Sequence, residues 1–257
     1  MSIAPTPAPA TLPTGVLDRV DLILELVEEG VRTVPSLARR TGLPRSTVHR
    51  LSRDLQHRGY LAYAGATGLV LGPRLLRLAA SAMRDLPLRD LAHPVLERLR
   101  DSTGESAQLY VRSGTVRVCI DAVQSESELR TIIPVGASLP LTAGSAGKVF
   151  LAYLPDHMRD ELIASATATT DRTPVGEELA SQVRTAKRRG FATSSGERER
   201  GVGSVSAPVL DRYGTVHAVV SLSGPATRMG RISAGNYAPA VSTAAHDIER
   251  ALGLRQP

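Results

Sequence analysis

The sequence predicts an α+β protein in which a winged helix-turn-helix domain precedes a linker helix and a larger domain with a mostly antiparallel sheet flanked by helices. Residues 36–61 show a short helix, a tight turn and a second, arginine-rich helix, and a hairpin pattern follows at once. After residue 104, short apolar strands form hairpins and the helical stretches are segregated from them. That arrangement is typical of an α+β domain.

The chain of 257 residues is long enough for two domains. Residues 1–14 are rich in Ala, Pro and Thr, and we expect a disordered tail there because such a composition cannot form a packed core. We expect the winged helix-turn-helix domain over residues 15–72, the linker helix over 73–103 and the second domain over 104–257.

The first domain begins with an amphipathic helix over residues 16–30, and the helix-turn-helix follows it. Gly42 permits the positive φ at which a helix ends, and Pro44 cannot continue the first helix but suits the start of the next. Apolar residues then recur at a spacing of three and four, which predicts one buried stripe on the second helix: Val48, Leu51 and Leu55.

The face opposite this stripe is strongly basic. Between Arg39 and Arg58 there are six arginines and one acid, Asp54, so this segment holds +5 of a formal net charge of +6. Such focusing favours a phosphate-binding surface, and the second helix is suited to the DNA major groove; the alternative is an ordinary solvated helical hairpin. The expected DNA-binding residues are Arg39, Arg40, Arg45, Ser46, Thr47, His49, Arg50 and Arg53.

Two kinds of contact are expected from these residues and from Arg58, which follows them. The residues on the first two turns of the second helix are placed to approach base edges, and arginine can grip guanine with two hydrogen bonds. Arg39, Arg40, Arg53 and Arg58 are expected to contact phosphates, which position a protein without specifying sequence.

A wing and a linker follow the second helix. Residues 59–63 and 69–71 are apolar strands around the turn Gly65-Ala66-Thr67-Gly68, which predicts the hairpin of a winged helix. Pro73 then begins a helical stretch that is interrupted at Leu86-Pro87 and resumes to about residue 102. Its apolar face predicts a seam between two copies of the chain; the alternative is a helix packed only within its own chain.

The second domain alternates between hairpins and helices. Helices are expected over residues 146–153, 155–165, 175–189 and 234–252, and strands over 107–111, 116–123, 129–135, 202–210 and 216–222. The small residues of Thr142-Ala143-Gly144-Ser145-Ala146 lead directly into the first of these helices. Free backbone amides at such a helix start are suited to holding a carboxylate.

These motifs together resemble the IclR family of bacterial transcription regulators. In the first domain the resemblance rests on Thr41-Gly42-Leu43-Pro44 and on the run from Ser46 to Leu51. In the second it rests on Ala146-Gly147-Lys148 and on a long signature between Gly190 and Asp211. The resemblance implies a GAF-like effector-binding and oligomerisation domain, a homodimer that often doubles to a tetramer, and a small organic acid as ligand.

The resemblance also implies an effector site. It carries a binding role onto Ser145 and Ala146, beside Gly144, and onto four further serines: Ser194, Ser204, Ser221 and Ser223. The sequence departs from the family at Leu210, where an aromatic residue or His is usual. It departs again at Ser194, where members that bind two- or three-carbon keto acids tend to have an acid.

The sequence argues against an enzyme, a cofactor and a metal. The loop before Lys148 lacks the first glycine and the final Ser or Thr of a P-loop, and the six histidines have no metal-ligand spacing. A serine-dependent hydrolase that acts on a small acid is the distant alternative, because Ser221 lies near His217 in sequence. A DNA-binding architectural protein without a ligand is a third alternative, which the long second domain with its polar loops argues against.

The remaining features favour a cytoplasmic regulator. The single cysteine, Cys119, lies in an apolar run, so we expect a core position rather than a disulfide, and no apolar stretch is long enough to span a membrane. We therefore expect a ligand-responsive, sequence-specific transcription regulator, either repressor or activator, that binds a pseudo-palindromic double-stranded operator and controls a metabolic operon.

Overall fold

The computed structural model describes residues 15–84, 87–229 and 233–254, so the tail predicted over residues 1–14 lies outside the described residues. The chain divides into two compact units, Met1–Asp85 and Leu86–Pro257. This division falls within the segment that we expected to be one linker helix.

The first unit is a winged helix-turn-helix, as the sequence predicts. Its elements are α1 (Val16–Glu28), α2 (Val34–Thr41), α3 (Arg45–His57), β1 (Leu61–Tyr63), β2 (Leu69–Leu71) and α4 (Pro73–Arg84). The strands β1 and β2 pair antiparallel, with Leu61 opposite Leu71, and form the wing.

Local sequence explains where α2 ends and α3 begins. The Thr33 hydroxyl caps α2 by accepting a hydrogen bond from the Ser36 amide. Gly42 ends α2 at a φ of 70°, a left-handed conformation that glycine adopts without strain, and Pro44 immediately precedes α3. The predicted stripe of α3 is buried in the core of this unit: Val48, Leu51 and Leu55, which pack with Ile23, Leu26, Val27 and Leu37.

The second unit is built on one six-stranded sheet with the strand order β5-β4-β3-β8-β7-β6. Every neighbouring pair is antiparallel, which confirms the predicted α+β class. The strands are β3 (Ser106–Ser113), β4 (Val116–Val123), β5 (Ser138–Pro140), β6 (Ala192–Ser195), β7 (Val202–Leu210) and β8 (Val216–Pro225).

Helices pack on this sheet and form two separate hydrophobic cores with it. They are α5 (Pro87–Thr103), α6 (Ser145–Tyr153), α7 (Asp156–Ala164), α8 (Gly176–Arg189), α9 (Ala226–Met229) and α10 (Ser233–Ala251). One core packs α5 and α10 against the sheet through residues such as Leu96, Val241 and Ile248. The other packs α6 and α8 through residues such as Leu151 and Leu179.

Two details of the sheet differ from the sequence prediction. The strand expected over residues 129–135 is wrong, because the strand that pairs with β4 is β5. Pro134 has no amide to donate, and the chain turns at Gly136, whose φ is 94° and whose amide bonds the Cys119 carbonyl oxygen. The four-residue edge strand β6 was missed, since Ala192–Ser195 lacks an alternating apolar pattern.

Candidate functional site

The basic face of α3 is open to solvent. Opposite the buried stripe, the side chains of Arg45, Ser46, His49, Arg50 and Arg53 are exposed, and Thr47 is half-buried. Arg39 and Arg40 are exposed at the end of α2. The structure therefore places seven of the eight residues predicted to bind DNA fully on the surface of one helix-turn-helix.

Two of these arginines have partners within the protein. Arg40 forms an ion pair with Glu29 at 2.8 Å, and Arg50 approaches Asp54 at 3.8 Å, one turn away on α3. Both pairs are exposed, and surface pairs of this kind contribute only about 0–1 kcal/mol. Phosphate can therefore replace the carboxylates at little cost. Two further arginines of α3, Arg45 and Arg53, form no ion pair with any described residue, and the His49 side chain is exposed on the same helix.

A cleft of about 430 Å³ lies between the start of α2, the helix α3 and the wing. Arg53 and His49 line it from α3, and Tyr63 lines it from the wing. Arg32, which the sequence reasoning missed, also lines the cleft and donates a hydrogen bond to the Leu69 carbonyl oxygen at 3.2 Å. Arg32 thereby ties the start of α2 to the second wing strand.

In the second unit, one small cavity gathers all seven residues predicted for the effector, although they are spread over 80 positions of the sequence. We call this cavity of about 30 Å³ the serine chamber. The predicted residues that line it are Gly144, Ser145, Ala146, Ser194, Ser204, Ser221 and Ser223.

The hydroxyls of this region form a directed chain. Ser206 donates to Ser221 at 2.8 Å, and the Ser145 hydroxyl lies 2.6 Å from both Ser204 and Ser206. Each hydroxyl has one proton, so Ser145 must donate to Ser206 and Ser204 must donate to Ser145. Among the described residues, the Ser221 proton at the end of this hydroxyl chain has only a 3.5 Å contact, with the Leu222 carbonyl oxygen. Ser206 is fully buried, and the sequence reasoning missed it.

The start of α6 forms one wall of the chamber. Gly144 precedes the helix with a φ of 86°, and no side chain caps the first turn. The Gly144 amide donates to Glu197 Oε2 at 3.1 Å, while Lys148 Nζ donates to Glu197 Oε1 at 2.5 Å. Both charged side chains are buried, so this ion pair fixes the helix start against the loop before β7.

Six residues that line the chamber were not among the predicted site: Tyr110, Arg117, Ile133, Arg198, Glu199 and Val202. Arg117 is buried on β4, where buried and partly exposed residues alternate along the strand. Arg117 alternates in step with Cys119 and Asp121, so it lies on the same buried face, and this spacing of two could have identified it from the sequence. Burial lowers the pKa of Arg117 to about 10, which leaves the guanidinium charged at neutral pH. Burial also raises the pKa of the Tyr110 phenol, so its hydroxyl remains a hydrogen-bond donor.

The chamber lacks the geometry of a serine hydrolase. His217 Nε2 lies 3.1 Å from Asp211 at the exposed end of the β7–β8 hairpin, and among the described residues it forms no bond with a serine.

The described residues also contain no cluster of His, Cys, Asp or Glu suited to a metal ion. Within the described ranges, no helix is long and apolar enough to cross a bilayer. The serine hydroxyls, the backbone amides at the start of α6 and the arginines that line the chamber are suited to recognising an anion.

These two sites define a DNA-binding protein that carries a separate small-molecule domain, and comparison with known proteins identifies its family. Residues 16–65 match the family described as "IclR helix-turn-helix domain", and residues 80–250 match "Bacterial transcriptional regulator IclR C-terminal". The chain belongs to the IclR family of bacterial transcriptional regulators, and its function is ligand-responsive regulation of transcription.

Individual relatives agree over nearly the whole chain. The transcriptional repressor IclR of Escherichia coli is 29% identical over 256 residues, which cover 96% of this chain and 93% of the relative. The acetate operon repressor of Salmonella typhimurium is 30% identical over 258 residues, with 97% and 94% covered. The crystal structure of an IclR homolog complexed with 4-hydroxybenzoate from Microbacterium hydrocarbonoxydans matches with a TM-score of 0.78 and 26% identity, covering 94% of this chain and all of that one.

Proposed function

We propose that this regulator binds a pseudo-palindromic operator in the cytoplasm as a homodimer or tetramer. In this proposal a small organic acid occupies the serine chamber and changes operator affinity, and the regulated genes form a metabolic operon. The observation that carries the proposal is the convergence of seven separated residues on one chamber in a chain with an exposed, basic recognition helix.

Operator binding is supported by the charge and exposure of α3. Two arginines of α3 form no ion pair with a described residue, Arg45 and Arg53. Together with Arg39 and with the two arginines whose carboxylate partners phosphate can replace, Arg40 and Arg50, they form one positive surface. Base contacts come from the first two turns of α3, and phosphate contacts come from Arg39, Arg40, Arg53 and Arg58. A single winged helix reads only half of a palindrome, so the operator requires a second copy.

A dimer is supported by apolar side chains that the first unit leaves in solvent. Leu76 and Leu78 of α4 are 74% and 47% exposed, and Val16 and Leu17 of α1 are 63% and 82% exposed. Large apolar side chains left in solvent favour association with another apolar surface. Light scattering at micromolar concentration tests this part, and a monomer would contradict it.

An acid effector is supported by the donors that surround the chamber. The first amides of α6 have no acceptor within the helix, and the helix dipole favours an anion there. The 4-hydroxybenzoate in the Microbacterium homolog is itself a small organic acid. We infer no catalytic role, because the chamber serines have no general base among the described residues.

The DNA part of the proposal is tested by Arg50→Ala. Loss of a base contact should weaken operator binding by about 1–3 kcal/mol, while loss of a phosphate contact alone should weaken all sequences alike. Fluorescence anisotropy with the promoter duplex and a random duplex, at several salt concentrations, measures both. The exposed Arg212→Ala, on the β7–β8 hairpin, is the control. Equal affinity of the wild type for both duplexes would contradict sequence-specific binding.

The effector part is tested by Ser221→Ala. This change removes the last hydroxyl of the hydrogen-bonded serine chain. It should weaken acid binding by about 1–3 kcal/mol, because a buried polar group of the ligand loses its partner. Operator affinity without ligand should stay unchanged. Titration calorimetry and the anisotropy assay, with the exposed Ser113→Ala as control, separate the two effects. Loss of operator binding with intact acid binding would reverse the assigned roles.

A further inference from the structure

Arg117 is a buried cation without a carboxylate partner. Its side chain lies on β4 at 3% exposure, and none of the described acids comes within 4.0 Å of it. One guanidinium nitrogen, Nη1, donates to the Pro140 carbonyl oxygen, and the ring of Tyr110 lies 5.5 Å from the guanidinium carbon. Nε is buried without a described hydrogen-bond partner. Since a buried charge is costly unless it is paired, this arrangement is incomplete as it stands.

The surroundings of Arg117 add further positive potential. A side-chain carbon built on Gly144 would lie 3.1 Å from Nη2, and one built on Gly147 would lie 2.9 Å from Nη1. The guanidinium therefore lies against the first turn of α6, where the helix dipole is positive and repels a cation. Beyond burial, Arg198, which also lines the chamber, lowers the pKa of Arg117 further, whereas Tyr110 and the Glu197 carboxylate oppose that shift.

The nearby acids are already engaged. Glu197 is bound by Lys148 Nζ and by the Gly144 amide, and Glu199 pairs with Arg198 at 3.3 Å near the surface. Among the residues that line the chamber, two arginines and one glutamate leave one positive charge in excess. A ligand with one negative charge compensates it.

We propose that Arg117 is the residue that selects a carboxylate, and that the effector is a monocarboxylate whose acid group occupies the chamber beside this guanidinium and the first turn of α6, both of which line it. The inference rests on the proposed effector role of the chamber. It narrows the proposed small acid to a single negative charge and adds a specificity residue outside the seven predicted from the sequence.

The far side of the chamber complements this orientation. Ser221 has a proton without a short acceptor, and Ser223 donates its own proton to Gln108 at 3.0 Å, which leaves the Ser223 oxygen as an acceptor. This end therefore offers one donor and one acceptor, and it suits a hydroxyl or a keto group of the ligand. The acid end and the neutral polar end are thus distinct.

The test compares acids with their neutral amides. Acetate against acetamide serves as the minimal probe, and pyruvate against pyruvamide as the larger one, at matched ionic strength, by thermal shift and titration calorimetry on the full chain. The wild type should prefer each acid over its amide. Arg117→Met should weaken acid binding roughly 10- to 100-fold and leave amide binding nearly unchanged, because one charge-assisted contact is lost. Arg117→Lys should keep part of the acid preference. The exposed Arg112→Met, on the neighbouring strand opposite Arg117, is the matched control.

The outcomes separate this inference from the proposed function. If Arg117→Met retains the acid preference while acids still change operator binding of the wild type, the role of Arg117 is wrong and the proposed function stands. If acetate stabilises the wild type no more than acetamide does, the carboxylate site itself is wrong. If Arg117→Met fails to fold, Arg117→Lys decides, since a lysine variant with no acid preference at all would contradict selection by charge. Succinate that binds more tightly than every monocarboxylate would overturn the single-charge assignment.

Discussion

Lys148→Met should be among the most damaging substitutions in the second unit. Lys148 and Glu197 have side chains that are 3% and 7% exposed, and their charged atoms lie 2.5 Å apart. Burial lowers the pKa of Lys148, and the neighbouring Glu197 carboxylate opposes that shift. Methionine fills a similar volume, so the change removes the charge and leaves the packing nearly intact.

The expected cost follows from what is left behind. Without Lys148, Glu197 keeps the Gly144 amide as its partner but loses the neutralising charge, and an uncompensated buried charge costs about 3–5 kcal/mol. For a domain of 150–250 residues, 1 kcal/mol lowers the Tm by roughly 2–4 °C. The transition of the second unit should therefore fall by roughly 6–20 °C.

Differential scanning calorimetry of the full chain measures this shift. The chain has one other lysine, Lys187, which is exposed on α8 with its ammonium 3.5 Å from the Tyr153 ring centre. Lys187→Met is the control and should cost about 0.5–1 kcal/mol. The double variant Lys148→Met/Glu197→Met should regain part of the lost stability, although the Gly144 amide then lacks its partner. A shift below about 2 °C for Lys148→Met would refute a buried, paired charge at this position.

Two further predictions concern single buried groups. Burial raises the pKa of the Cys119 thiol to about 12, so Cys119 should not react with a thiol reagent at pH 8 until the chain is unfolded; rapid labelling of the native protein would contradict its core position. The Ser52 hydroxyl of α3 is buried without a described partner, so Ser52→Ala should stabilise α3 by about 0.5–1 kcal/mol, because alanine favours the helix and removes an unsatisfied group. Slower amide hydrogen exchange along α3 is the expected signal, and faster exchange would mean that the hydroxyl has a partner.

The helix-turn-helix was predictable because its determinants are local. Gly42 and Pro44 act on the backbone of their own neighbours, and the stripe of Val48, Leu51 and Leu55 needs only helical spacing to be recognised. The arginines could be assigned to the surface by elimination, since that stripe faces the core. The wing required only two short apolar runs around a glycine-rich turn.

The effector chamber was predictable only in part. Family resemblance supplied its serines, but no local pattern indicates that Ser145 contacts Ser204 and Ser206 across 59 and 61 positions. Arg117 was missed because an arginine within an apolar strand suggests the solvent face. Only the packing of α6 on the sheet, where Cys119 of the same phase joins the core, establishes which phase is inward. The strand expected over residues 129–135 failed for a related reason, since apolar composition alone does not reveal a turn that prevents pairing.

The direction of the hydroxyl chain also bears on the choice between recognition and catalysis. A nucleophilic serine must give its proton to a base, yet the Ser221 oxygen accepts the proton of Ser206 and keeps its own. Arg117 and the uncapped start of α6 draw negative charge toward the other end of the chamber. An acid is therefore met by donors and positive charge, and among the described residues no acceptor is poised to take a proton from Ser221. These are conditions that hold a carboxylate in its ionised ground state, and they favour a receptor over a hydrolase.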